Sequence, residues 1–123
     1  MKHKVSELEG ALLDAAVAKA AGYRWELSET LRGPYCFAAV PDLEHGDGNG
    51  LIGFSPSQFW ESGGPIIERE RITVAPLPDP AAVGHLSGCL ATVNGRTEHG
   101  DTYLVSAMRA YVASKVGNEV ELP

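Results

Sequence analysis

Behind Ser6-Glu7-Leu8-Glu9, a run with the form of a capping box, Leu8, Leu12, Leu13, Ala15, Ala16, Val17 and Ala20 recur at helical spacing. They predict an amphipathic first helix over 6–21, closed by Gly22. Its alanine-rich face lets a second element approach closely. The period then drops to two: Tyr23, Trp25 and Leu27 alternate with Arg24, Glu26 and Ser28, as in a half-buried strand. After a turn at Arg32-Gly33-Pro34, the unbroken apolar run Tyr35-Cys36-Phe37-Ala38-Ala39-Val40 reads as a second strand that pairs with the first as a hairpin. The stretch 41–50 sets Gly46, Gly48 and Gly50 among Asp42, Glu44, Asp47 and Asn49, the composition of an exposed, mobile loop. Leu51-Ile52-Gly53-Phe54 brings the chain back to the core.

The next run is the densest in local signals. Ser55 is placed to cap a helix, Pro56 suits the first helical position, and Gln58 stands where a capping-box partner would. Phe59 and Trp60 follow on one turn; Gly63-Gly64 reads as a break, and Pro65 as a restart into Ile66-Ile67-Glu68-Arg69-Glu70. The segment 65–71 fits either a helical turn or an edge strand; the helical turn is preferred, with a strand over 72–75. Pro76, Pro78 and Pro80 make a linker, since proline neither donates to a ladder nor continues a helix.

Leu86 to Val93 then reads as a strand entering a tight turn at Asn94-Gly95, with Arg96-Thr97-Glu98 as its return. Asp101 or Thr102 caps a last helix over 102–116, whose face is Leu104, Met108, Tyr111, Val112 and Lys115, widened by Val105 and Val116. Gly117 is placed as its left-handed terminator, and Val120-Glu121-Leu122 closes the chain as a strand. The class is α+β: two main helices, 6–21 and 102–116, packed on a small, mainly antiparallel sheet of about five strands, with no βαβ rhythm.

A chain of 123 residues fits one domain over 1–123, and its 44% hydrophobic and 21% charged residues suit a globular core. The net charge of −6 and the scatter of the ten basic residues argue against a dedicated nucleic-acid surface. Cys36 and Cys89 are too far apart for a redox or zinc motif and read as reduced, packed thiols. The apolar run near the start is interrupted by Asp14 and Lys19, so neither a signal peptide nor a membrane span is expected, and the expected location is cytoplasmic.

Three blocks then carry a resemblance. Lys4-Val5-Ser6-Glu7-Leu8 with Gly10, Leu13-Asp14 and Ala16-Val17-Ala18-Lys19-Ala20 is the first. The second is Phe54-Ser55-Pro56-Ser57 with Trp60 and Gly63 to Glu70, and the third is Tyr103 to Lys115. In this order they resemble the NinX-like proteins of tailed bacteriophages and prophages; Val74 to Thr97 shows no matching motif. The resemblance implies a small phage-encoded protein working inside a bacterial host during infection or lysogeny. It carries over no catalytic residue.

Among candidate sites, Trp60 with Gly63 and Gly64 leads: an indole face beside exposed backbone amides can hold a planar or anionic ligand. The plainer reading, a core tryptophan with turn glycines, is the commoner arrangement. Arg69 and Arg71, within Glu68-Arg69-Glu70-Arg71, make a solvated face or reach a phosphate or a second subunit. Arg109 pairs with Asp14 or Glu7 on the first helix, or reaches a ligand.

Ser55, Ser57 and Asp14 lack the constellation of a hydrolase, so no catalytic residue is assigned. His85 with Cys89, and His45 with Asp47, are too thin for a metal, and no metal or cofactor is expected. Glu-His-Gly-Asp at 44–47 and again at 98–101 reads as chance recurrence. The expected function is a non-enzymatic accessory protein that binds a host protein or small ligand as a homodimer. One alternative is a module that sequesters a nucleotide-like ligand, with Trp60 stacked on the ring and the glycine amides or Arg69 on the phosphate. A small hydrolase comes last.

Overall fold

A computed structural model describes residues 1–41, 50–77 and 88–123. The loop expected around 42–49, the linker prolines Pro78 and Pro80, the strand start at Leu86, and His45, Asp47 and His85 all lie outside them.

The elements in order are β1 (Lys2–Lys4), a 3-10 turn (Val5–Glu7), α1 (Gly10–Ala21), β2 (Trp25–Thr30), β3 (Gly33–Ala38), β4 (Ile52–Gly53), α2 (Trp60–Glu70), β5 (Thr73–Pro76), β6 (Cys89–Val93), β7 (Arg96–Gly100), α3 (Tyr103–Val116) and β8 (Glu119–Glu121). The class is α+β, as the patterning predicts. The expected layout of two helices on one sheet of five strands is corrected: the described residues hold three helices and eight strands in three antiparallel sheets, β1-β8, β2-β3-β4 and β5-β6-β7.

The layers follow from which faces are apolar. α3 buries Leu104, Ala107, Met108, Ala110, Tyr111, Val112 and Ala113, and it packs on β5, β6 and β7 on one side and on α1 on another. α1 buries Leu13 through Ala18 and lies in turn on β2 and β3. Two helix-on-sheet halves therefore meet helix to helix through α1 and α3, two helices on which Ala15, Ala16, Ala18, Ala107 and Ala110 are fully buried. The β1-β8 ribbon joins the two ends of the chain, with Lys2 opposite Glu121.

Three boundaries differ from the pattern. α1 starts at Gly10, not at residue 6, because Val5 and Leu8 are both buried and the Val5 N–H is drawn to the Asn118 carbonyl at 2.9 Å. The capping-box run becomes a 3-10 turn, and Gly10, at φ 61°, redirects the chain into the helix. α2 runs unbroken through Gly63-Gly64-Pro65. Pro65 has no N–H for the Glu61 carbonyl, but it lies on the exposed side of the helix, while Ile66 and Ile67 anchor the second half in the core. Gly117 ends α3 at φ 92° and ψ −156°, which is not the left-handed helical conformation expected of it.

Elsewhere the local signals hold. β2 and β3 pair as the expected hairpin from Trp25–Ala38 to Thr30–Gly33, but the turn is Leu31-Arg32 and not Arg32-Gly33-Pro34, since Gly33 and Pro34 already belong to β3. Asn94 (φ 50°) and Gly95 (φ 80°) form the β6-β7 turn with both residues left-handed. Thr102 Oγ1 accepts the Val105 N–H at 3.0 Å and caps α3.

Candidate functional site

The chain leaves β4 through Phe54, which is buried and meets the Tyr23 ring edge-on at 5.9 Å. Ser55 to Gln58 then form a tight turn in which the Ser55 carbonyl accepts the N–H groups of Gln58 at 3.0 Å and Phe59 at 2.9 Å. A side-chain cap is still needed here, and it comes from across the core. Asp14, 1% exposed on α1, accepts the Ser57 N–H through Oδ1 at 2.8 Å and the Gln58 Nε2 through Oδ2 at 3.4 Å.

This corrects the capping role expected of Ser55. Its hydroxyl is buried with no hydrogen-bond partner among the described residues, because the remote carboxylate already occupies the place the cap would take. The Ser57 hydroxyl lies beside that carboxylate without completing a bond of ordinary geometry. Ser55→Ala should therefore leave stability within about 0.5 kcal/mol of wild type in urea unfolding, or raise it slightly, where a true cap would cost about 1 kcal/mol. A loss of that size would restore Ser55 to the capping position.

Burial is the main influence on Asp14 and pushes its carboxyl up to about 6, against the pull of the Ser57 and Gln58 hydrogen bonds. The Cys36 thiol on β3 is pushed up to about 12, by burial first and then by the Asp14 charge.

The turn hands the chain to α2 with Phe59 and Trp60 facing water, 51% and 54% exposed. α2 lies close against the turn: a Cβ on Gly63 would stand 2.4 Å from the Pro56 carbonyl oxygen and 2.7 Å from Leu104 Cδ2. Gly64 lies under the Trp60 ring, whose Cε3 would be 3.8 Å from a Cβ there. Between the starts of α2 and α3 runs an open groove of about 560 Å³, lined by Gln58, Trp60, Cys89, Tyr103, Leu104 and Val105 among others. Tyr103 is 38% exposed.

The three blocks of sequence singled out above meet at this point, through Asp14 from the first, Ser57, Trp60 and Gly63 from the second and Leu104 from the third. A family model described as "Bacteriophage P22, NinX" matches residues 4–115. The chain belongs to the NinX family. The match runs through 74–97, the stretch with no recognisable motif of its own. Among curated proteins, none matches the chain.

Of the candidate residues in this NinX-family chain, Trp60, Gly63 and Gly64 lie together and the two arginines lie elsewhere. Trp60 is not the core anchor of the plainer reading. The Gly63 N–H donates to the Phe59 carbonyl at 2.9 Å inside the helix, so it does not point at solvent. Nine residues at 100° each place Arg69 about 180° around α2 from Trp60. There its Nε donates to Glu70 Oε2 at 2.8 Å and its Nη1 to the Tyr23 hydroxyl at 3.2 Å. The Glu70 bond chiefly raises the Arg69 pKa above its ordinary value.

Arg109 does not pair with Asp14 or Glu7. Its Nε donates to the Leu8 carbonyl and its Nη1 to the His99 carbonyl, each at 2.8 Å, because the 3-10 segment and β7 each leave an acceptor beside α3.

Tyr103 lines the groove and Asp14 holds the turn beside it through Ser57 and Gln58, and neither was assigned to the candidate site from sequence. The available signal for Asp14 was its position between Leu13 and Ala15, at i−3 and i−4 from Val17 and Ala18, where a charge enters an apolar stripe. Among the described residues that line the groove there is no lysine or arginine. Among the described residues no group of three or more His, Cys, Asp or Glu side chains is placed to hold a metal ion, and no helix is long and apolar enough to cross a membrane.

Proposed function

We propose that this NinX-family chain is a non-enzymatic phage accessory protein that acts in the cytoplasm of the bacterial host by binding a host protein at the Trp60 groove. The supporting observation is the exposure of Trp60 and Tyr103 along one apolar depression, with exposed Phe59 next to Trp60 in the chain. Aromatic area left in water is costly, and clustered aromatics of this kind carry most of the energy of protein interfaces. The chain has a net charge of −6, and exposed Glu61 and Asp101 adjoin Trp60 and Thr102 in sequence. The matching partner inserts an apolar side chain flanked by basic residues.

A nucleotide-like ligand fits less well, since no basic side chain among the described residues lines the groove and the Gly63 amide is already bonded. The homodimer expected from sequence would use this same face, because the apolar length of α3 is covered by β5, β6, β7 and α1.

The test immobilises wild type, Trp60→Ala and Leu31→Ser in host extract, then measures affinity for the purified partner. Leu31, fully exposed on the β2-β3 turn, controls for exposed apolar area as such. Trp60→Ala should weaken binding at least tenfold, about 1.4 kcal/mol, with Leu31→Ser unchanged. Equal capture by wild type and Trp60→Ala would remove the reading. Light scattering that showed a wild-type dimer dissociating in Trp60→Ala would reassign the groove to a second copy.

A further inference from the structure

We infer that Asp14 is a positioning residue of the groove: its carboxylate holds the Gln58 amide with Nε2 turned into the protein and Oε1 left free, so the groove presents a hydrogen-bond acceptor and its occupant must bring a donor. The inference rests on the groove being the binding face proposed above, and it adds the polar character of what binds there.

Donors and acceptors fix which way the amide faces. An ionised carboxylate only accepts, so with Oδ2 at 3.4 Å Gln58 can offer it only its NH2 group. The carbonyl of the same amide then points away from Asp14, on a side chain that is itself exposed and lines the groove. Of the other polar groups nearby, Thr102 Oγ1 is engaged in capping α3 and Ser57 is buried, while Tyr103 on the groove wall adds a phenolic hydroxyl that can donate as well as accept.

Protonation of Asp14 reverses the arrangement. A carboxylic acid carries a proton on one oxygen, and that proton faced by the Gln58 NH2 sets donor against donor. The amide then has to turn over or let go, and the groove loses its acceptor. Among the described residues, the titratable group that feels Asp14 is the Cys36 thiol from β3. The Asp14 carboxyl itself is governed by burial and by Ser57 and Gln58, with no charged side chain of α3 or β2 contributing.

Gln58 is the only glutamine in the chain, so its side-chain NH2 pair is an unambiguous NMR reporter. The experiment follows that pair in the free protein from pH 7.5 to 4.5, in wild type and in Asp14→Asn. The wild-type pair should shift with a midpoint near pH 6, and the Asp14→Asn pair, facing a side chain that does not ionise, should stay flat across the range. A wild-type pair that does not move, or one that moves identically in Asp14→Asn because a histidine drives it, overturns the inference. Since no partner is present, failure here is separate from failure of the binding reading, which Trp60→Ala tests. With a purified partner in hand, Asp14→Asn should also remove any loss of affinity seen between pH 7.5 and 5.5.

Discussion

Gly63→Ala should destabilise the protein by about 2 kcal/mol or more, and Gly64→Ala, one residue along the same helix, should stabilise it by about 0.5–1 kcal/mol. Both glycines weaken a helix by the freedom they lose on folding, and alanine recovers that at either position. The difference lies in what the new methyl meets. At Gly63 it would stand 2.4 Å from the Pro56 carbonyl oxygen, a backbone atom that moves only if the Asp14-held turn moves with it, and 2.7 Å from Leu104 Cδ2. At Gly64 the nearest atom is Trp60 Cε3 at 3.8 Å, an ordinary contact with an exposed ring. Thermal unfolding should put Gly63→Ala roughly 8–15 °C below wild type and Gly64→Ala slightly above it. Two variants shifted in the same direction would mean that α2 is not seated on the turn as described. Gly63→Ala should also disturb the Trp60 groove, because relieving the clash slides α2 away from Leu104, one of the groove's own walls.

The same pair shows how far the sequence could be read. Periodicity located the last helix, the β2-β3 hairpin and the Asn94-Gly95 turn, because each depends on residues near one another in the chain. It missed α2 as a full helix, since Gly63-Gly64-Pro65 is punctuation by every local rule. What keeps the helix whole is tertiary: Ile66 in the core, and a close approach that only glycine permits. The capping signals failed in the same way. Ser6 and Ser55 each had the right neighbours, yet Val5 and Leu8 drew the first segment into a 3-10 turn, and Asp14, 43 residues from Ser57, took over the second cap.

A single broad sheet was expected because strands were counted without their partners. Which strand lies beside which depends on α1 and α3 meeting face to face, and that is not a property of any one stretch. At the site, Trp60, Gly63 and Gly64 were readable because they are near in sequence. Tyr103 and Asp14, brought in by α3 and α1, were not.

Asp14→Asn should abolish a pH dependence of stability worth about 3 kcal/mol. The Asp14 carboxyl rises from 3.8 when exposed to about 6 in the folded chain. Between those values the folded protein holds a proton that the unfolded chain has released, so this residue's contribution to stability is complete below 3.8 and is lost as pH rises through about 6. At about 1.4 kcal/mol for each pH unit between the two values, the loss is about 3 kcal/mol.

Asparagine keeps the shape and an acceptor for the Ser57 N–H but does not ionise. Urea unfolding at pH 4 and 7.5 should therefore show wild type falling by about 2.5 kcal/mol relative to Asp14→Asn, most of the full difference, with the other carboxylates cancelling. Asp14→Ala should lie a further 1–3 kcal/mol or so below Asp14→Asn at both pH values, because it leaves the Ser57 N–H buried without an acceptor. Parallel curves for wild type and Asp14→Asn would show that the carboxylate is solvated after all. The chain thus carries, on a helix face otherwise made of leucine, valine and alanine, a charge that weakens the fold near neutral pH. What that charge provides is two acceptors aimed at the turn before Phe59 and Trp60, which a neutral apolar residue does not supply. The cost of ionising Asp14 falls on the core, and the benefit falls on the geometry of the exposed aromatic face.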